Sequence, residues 1–142
     1  MNVERPVERF ALANGRVILP REIVAGKVVV VEGDKIAGIA RTGDLGVGTR
    51  TIDVGGRYIA PGLIDIHVHG ARGHTFNEPA AAAFAAIAGT HIAHGITSLL
   101  ATLATASIDD LVACLEFSRQ WSRHPRAGAR VLGVHLEGPY FS

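Results

Sequence analysis

The rhythm of hydrophobic and polar positions changes once along this chain. Up to about residue 60, short apolar runs alternate with turn signals. Phe10 to Leu12 and Arg16 to Leu19 flank Asn14-Gly15, a dipeptide that favours two-residue hairpin turns. Lys27 to Val31 and Ile36 to Ala40 flank Gly33-Asp34, and a glycine-rich stretch runs from Gly43 to Gly48. Thr51 to Val54 reads as a further strand, followed by a turn at Gly55-Gly56. The pattern predicts a small all-β unit over residues 1–60.

After Pro61-Gly62 the pattern becomes strand, helix, strand, helix, strand. Leu63 to His69 is rich in Ile and Val and reads as a strand. Asn77-Glu78-Pro79 has the form of a helix start, with Asn77 as N-cap and Pro79 in the first turn. The Ala-rich run Ala80 to His94 is then helical, and Gly95 stops it. Ile96 to Ala101 is the second strand. Ser107-Ile108-Asp109-Asp110 resembles a capping box with Asp in place of Glu, opening a helix that reaches roughly Arg123, before His124-Pro125. Val131 to Glu137 is the third strand. Such alternation implies a parallel sheet or barrel over residues 61–142. A closed (β/α)8 barrel needs about 250 residues, so three strands leave an open edge and the chain reads as a fragment.

Composition narrows the function classes. Nearly half of the 142 residues are apolar and 19% are charged, a core-forming balance. The formal net charge of +1 comes from mixed charges without a basic block, which argues against nucleic acid or an anionic membrane surface as partner. Cys114 is the single cysteine, so no intrachain disulfide exists, in keeping with a cytoplasmic protein. The first ten residues lack the basic-then-apolar order of a signal peptide, and no apolar run approaches a membrane span.

Two strings carry chemistry. In Pro61-Gly62-Leu63-Ile64-Asp65-Ile66-His67-Val68-His69-Gly70, strand alternation puts His67 and His69 on one face, with Asp65 deeper on the same face. Two imidazoles at the C-terminal end of a strand can converge on a divalent metal; by spacing alone, polar residues near a surface are the commoner reading of such a pair. Asp65 reads better as a structural hydrogen-bonding carboxylate. In Gly133-Val134-His135-Leu136-Glu137-Gly138-Pro139-Tyr140, His135 and Glu137 share a face, and Glu137 ends the strand where a carboxylate can hold a metal or move a proton. His135 reads first as a hydrogen-bonded interior histidine, with an outer-shell role beside a metal as the alternative. His91 and His94 sit near a helix C-terminus, where cations are favoured. His74 lies in the loop after the first strand, Cys114 and Trp121 read as packing, and Gly43, Gly46 and Gly48 lack the Gly-Lys-Ser/Thr of a phosphate loop.

The first string resembles the opening barrel strand of the amidohydrolase superfamily. Gly-Val-His-Leu-Glu-Gly-Pro-Tyr resembles the signature of N-acetylglucosamine-6-phosphate deacetylases. Gly95 to Thr102 is similar to that family's second strand, with Ala101 where proline is common, and Gly55 to Gly62 to its entry into the barrel. The resemblance implies an α/β fold: a small, incomplete β-sandwich subdomain (1–60), then the first three strands of a (β/α)8 TIM-type barrel (61–142). It implies Glu137 as a metal ligand, with His67 and His69 as the pair that holds a second metal position in many members, and one or two divalent ions, zinc foremost. It places two further histidine ligands and the acid–base aspartate beyond Ser142, so no catalytic residue and no substrate-binding residue is assigned within the chain. The implied substrate is a small amino-sugar phosphate whose acetamide is hydrolysed, by a full-length enzyme that is a homodimer. The competing readings are another amidohydrolase, such as a cyclic-amide hydrolase or a deaminase, and a truncated product without activity.

Overall fold

The computed structural model describes residues 8–124 and 126–140, so the expected role of Pro125 in ending a helix lies outside the described residues. The chain divides into two compact units, Met1–Pro61 and Gly62–Ser142.

Among its described residues the first unit contains seven strands: β1 (Arg9–Ala13), β2 (Arg16–Ile18), β3 (Ile23–Val24), β4 (Lys27–Glu32), β5 (Lys35–Arg41), β6 (Arg50–Asp53) and β7 (Tyr58–Ile59). A four-stranded sheet runs β5-β4-β1-β6, and a three-stranded one runs β3-β2-β7. The hairpin expected at Gly33-Asp34 forms, with Glu32 opposite Lys35 and Gly33 at a φ of 62°. That left-handed first position is the reason for glycine there. The valine run of β4 is buried on both faces: Val28 and Val30 meet Ala11 and Ala13, while Val29 meets Val17 and Ile59.

Asn14-Gly15 does not make the hairpin that its sequence suggests. β1 pairs with β4 and β6, whereas β2 pairs with β3 and β7, so the turn hands the chain from one sheet to the other. Asn14 takes the positive φ of 56° and donates its amide to Asp53 Oδ1 at 2.8 Å. A Cβ at Gly15 would stand 2.6 Å from Val54 and 2.7 Å from Ile59, which is why the crossing requires glycine. Asp53 also accepts Gly55 N–H at 2.6 Å; that bond first, and Asn14 second, hold its carboxyl below the ordinary carboxylate range. The segment Thr42–Asp44 is a single 3₁₀ turn, and no α-helix opens among the glycines around it.

The second unit is mixed α/β. Its parallel sheet has the order β12-β11-β8, with β8 spanning Leu63–Val68, β11 Ile96–Leu103 and β12 Arg130–Leu136. Between β8 and β11 come a two-stranded ribbon, β9 (Gly70–Ala71) with β10 (His74–Thr75), and helix α1 (Ala81–Ala93). Helix α2 (Ile108–Ser122) links β11 to β12. The core joins Leu99, Ala101 and Leu103 of β11 to Phe84 and Ile87 of α1 and to Leu111, Cys114 and Trp121 of α2. Phe84 lies at its centre, with ring centroids 4.9 Å from Phe76, 5.0 Å from Phe117 and 5.4 Å from Trp121. The small alanines of α1 let the helix lie close on the sheet, with Ala83 and Ala88 almost wholly buried.

The cap of α2 is as expected: Ser107 Oγ accepts Asp110 N–H at 3.2 Å and donates to the Asp110 carboxylate at 2.6 Å. The cap of α1 is not. Its N-cap is Ala80, without a side-chain bond. Asn77 turns away to the end of β11, where Nδ2 donates to Ala104 O at 3.0 Å and Ala104 N–H donates to Oδ1 at 2.9 Å. Two paired amide bonds replace the single bond a cap would make. Among the described residues, no helix is long and apolar enough to cross a membrane.

Candidate metal centre

His67, His69 and Glu137 converge at the C-terminal ends of β8 and β12. Glu137 Oε2 lies 3.2 Å from His67 Nε2 and 2.9 Å from His69 Nε2, and the two Nε2 atoms are 3.3 Å apart. This is the group of three or more potential ligands found among the described residues. The imidazoles come together because β8 ends at Val68 and the chain folds back at once into the β9–β10 ribbon. Gly70 permits that fold: a Cβ there would sit 2.0 Å from the His74 carbonyl oxygen.

The donor set fits a divalent ion. Zinc binds imidazole nitrogen at about 2.0–2.1 Å and carboxylate oxygen at about 2.0–2.2 Å, so neighbouring ligand atoms of a tetrahedral site stand roughly 3.3 Å apart. The three observed edges, 2.9, 3.2 and 3.3 Å, are close to that figure. Glu137 Oε2 is moreover shut off from solvent and receives no hydrogen bond, although both imidazoles crowd it. A buried carboxylate oxygen without a donor is costly unless a cation answers it. The side chains remain partly open, with exposures of 52% for His67, 45% for His69 and 39% for Glu137, which leaves room for further ligands.

The other sequence candidates fall elsewhere. Asp65 Oδ1 accepts His67 N–H at 3.0 Å, the structural carboxylate role expected of it. Strict alternation along β8 is interrupted, because Asp65 and Val68 stand opposite Leu99 and Ala101: β8 advances three residues while β11 advances two. Such a bulge re-aims neighbouring side chains. His135 packs its ring 4.9 Å from that of His67, yet its buried Nδ1 has no partner, so the hydrogen bond expected of it is not made there. His74 Nδ1 pairs with Glu78 Oε2 at 3.0 Å. That bond first, then Thr75 N–H, pulls the Glu78 carboxyl below its usual range. In the sequence, Glu78 reads only as part of a helix start. His91 Nδ1 bonds the carbonyl of Ile87 one turn back at 2.8 Å, and His94 caps the end of α1. Cys114 is buried and donates to Asn77 O at 3.4 Å; burial first, and the nearby Asp110 second, push its thiol up.

Residues 58–142, more than half of the chain, match the model of the amidohydrolase family, and the chain belongs to that family. Within it, the chain is similar to N-acetylglucosamine-6-phosphate deacetylases. It is 28% identical to the deacetylase of Haemophilus influenzae over 136 residues, 94% of this chain and 35% of that protein. It superposes on the crystal structure of the Pasteurella multocida deacetylase with a TM-score of 0.87 at 28% identity, covering 94% of this chain and 35% of the other. A shorter likeness, 47% over 62 residues, links 42% of this chain to 10% of the adenine deaminase of Geobacillus kaustophilus. The chain thus spans about a third of the length of these deacetylases.

Proposed function

We propose that this chain supplies the first part of an N-acetylglucosamine-6-phosphate deacetylase, which hydrolyses the acetamide of N-acetylglucosamine 6-phosphate to glucosamine 6-phosphate and acetate. The observation that carries the reading is the triad of His67, His69 and Glu137, with Glu137 inside the string His135-Leu136-Glu137-Gly138-Pro139. In this reading the second unit is the first three strands of a (β/α)8 barrel and the first unit an incomplete β-sandwich. The parallel order β12-β11-β8 with intervening helices supports the barrel, and a core shared by the strands of two sheets supports the sandwich.

Glu137 holds the ion, and His67 and His69 serve a second position or complete the first. Zinc suits a set of two imidazoles and a carboxylate. A bound divalent ion supplies an activated water near neutral pH and a Lewis acid for the amide carbonyl. Proton delivery to the departing amine needs a separate acid. The family resemblance puts this acid, an aspartate, beyond Ser142, together with two more histidine ligands. The working enzyme is a cytoplasmic homodimer acting on a small phosphorylated amino sugar.

The likeness to an adenine deaminase favours a second reading, a different amidohydrolase built on the same first strand. A substrate panel separates the two. The full-length protein, reconstituted with zinc, is expected to release acetate from N-acetylglucosamine 6-phosphate and to leave adenine, dihydroorotate and hydantoin untouched. Turnover of one of the cyclic substrates without acetate release would overturn the assignment. The 142-residue chain alone is expected to be inactive.

A further inference from the structure

Both halves of the triad are tied to one short segment, Thr102 to Thr105, at the end of the middle strand β11. Thr102 is wholly buried, and its Oγ1 accepts the backbone N–H of Val68 at 2.9 Å. Val68 is the residue between His67 and His69. On the other side, Glu137 N–H donates to Leu103 O at 2.9 Å, and Thr105 Oγ1 donates to Glu137 O at 3.2 Å. Asn77 pins the intervening Ala104 from the loop before α1.

The Thr102 contact has a cause in the sheet. The register slips between Leu99 and Ala101, so β8 carries one residue more than β11 across the bulge. An extra residue interrupts the regular ladder and leaves a backbone group in need of another acceptor. Here that acceptor is a hydroxyl rather than a carbonyl. Its position decides where the peptide carrying both imidazoles lies. A threonine kept only for its β-branched fit to a strand would not need its oxygen at this point, and valine would serve as well.

We infer that Thr102 is a positioning residue for His67 and His69, and that Thr105 is the corresponding positioning residue for Glu137. Together they set the separation of the three ligand atoms. The inference rests on the reading of His67, His69 and Glu137 as metal ligands. Neither threonine belongs to the triad; each acts through a backbone group, Val68 N–H or Glu137 O, beside or within the ligand-bearing segments.

The test compares Thr102→Val, Thr102→Ser and Thr105→Val with wild type in the full-length protein, stripped with a chelator and titrated with Co²⁺ and Zn²⁺. Thr102→Val is expected to weaken metal binding about 10–100-fold, the usual cost of losing an outer-shell partner, and to alter the visible spectrum of the Co²⁺ complex. Thr102→Ser, which keeps the oxygen, is expected to restore both. Thr105→Val, at an exposed site, is expected to give a smaller loss, because Leu103 O still holds Glu137. It also keeps the test decisive if Thr102→Val does not fold. Amide exchange gives a readout without metal: Val68 N–H is expected to be protected in wild type and to exchange faster in Thr102→Val. Wild-type affinity and spectrum in Thr102→Val, or failure of serine to restore them, would overturn the inference. A wild-type protein that takes up neither ion while Val68 stays protected would overturn it through the ligand reading instead.

Discussion

Replacing Glu137 with Gln keeps the shape of the side chain and removes its charge, which makes it a direct probe of the proposed metal centre. Glu137 Oε2 is the common vertex of the triad, 2.9 Å and 3.2 Å from the two imidazole nitrogens. Loss of an outer-shell partner costs about 10–100-fold in metal affinity, so loss of a directly bound anionic ligand should cost at least about 100-fold. At a free Zn²⁺ concentration 100 times the wild-type Kd, binding stabilises the folded protein by about 2.7 kcal/mol. A Kd weakened 100-fold reduces that gain to RT ln 2, about 0.4 kcal/mol. Thermal unfolding of both proteins, with Zn²⁺ and with chelator, reads the difference. Wild type should lose most of its metal-dependent stabilisation on Glu137→Gln, whereas His94→Ala, at the end of α1, should retain it. Equal stabilisation of wild type and Glu137→Gln by Zn²⁺ would refute the placement of the ion at this vertex.

Two further outcomes are expected. Phe84→Ala removes a fully buried ring packed on three aromatic neighbours and should cost about 3–5 kcal/mol, read from the denaturant midpoint by Trp121 fluorescence; a cost below about 1 kcal/mol would contradict the central place of Phe84 in the core. Asp53 has a carboxyl held below its unfolded value by Gly55 N–H and Asn14, so its contribution is complete above the unfolded pKa and disappears as pH falls through the folded one. Wild type and Asp53→Ala should therefore differ in melting temperature near neutrality and converge in acid, and a difference that persists unchanged in acid would argue against these hydrogen bonds as its source.

Local pattern alone determined much of this protein. The β-rich first part, the strand–helix alternation after Gly62, the Ser107 cap and the Gly95 stop are set by neighbours within a few residues, where periodicity and turn chemistry act directly. The His67–His69 pair and Glu137 were legible for the same reason: two histidines at the end of an apolar strand, and a glutamate one residue before a Gly-Pro, are strings that local sequence displays. That they meet within 3.3 Å depended on β8 and β12 flanking β11, which no local pattern specifies.

Tertiary structure decided the rest. Asn14-Gly15 has the composition of a hairpin turn, yet its flanking strands find better partners in different sheets. Asn77 has the composition of a cap, yet the backbone of Ala104 offers it two bonds instead of one. Thr102 looks like one more β-branched strand residue, and its hydroxyl acquires a task only because the bulge leaves Val68 N–H in need of an acceptor. In each case the deciding partner is 27 residues or more away, or lies across a strand order set by the burial of apolar faces. Side-chain hydrogen bonds follow that order once it exists, so their partners become readable only in the folded chain.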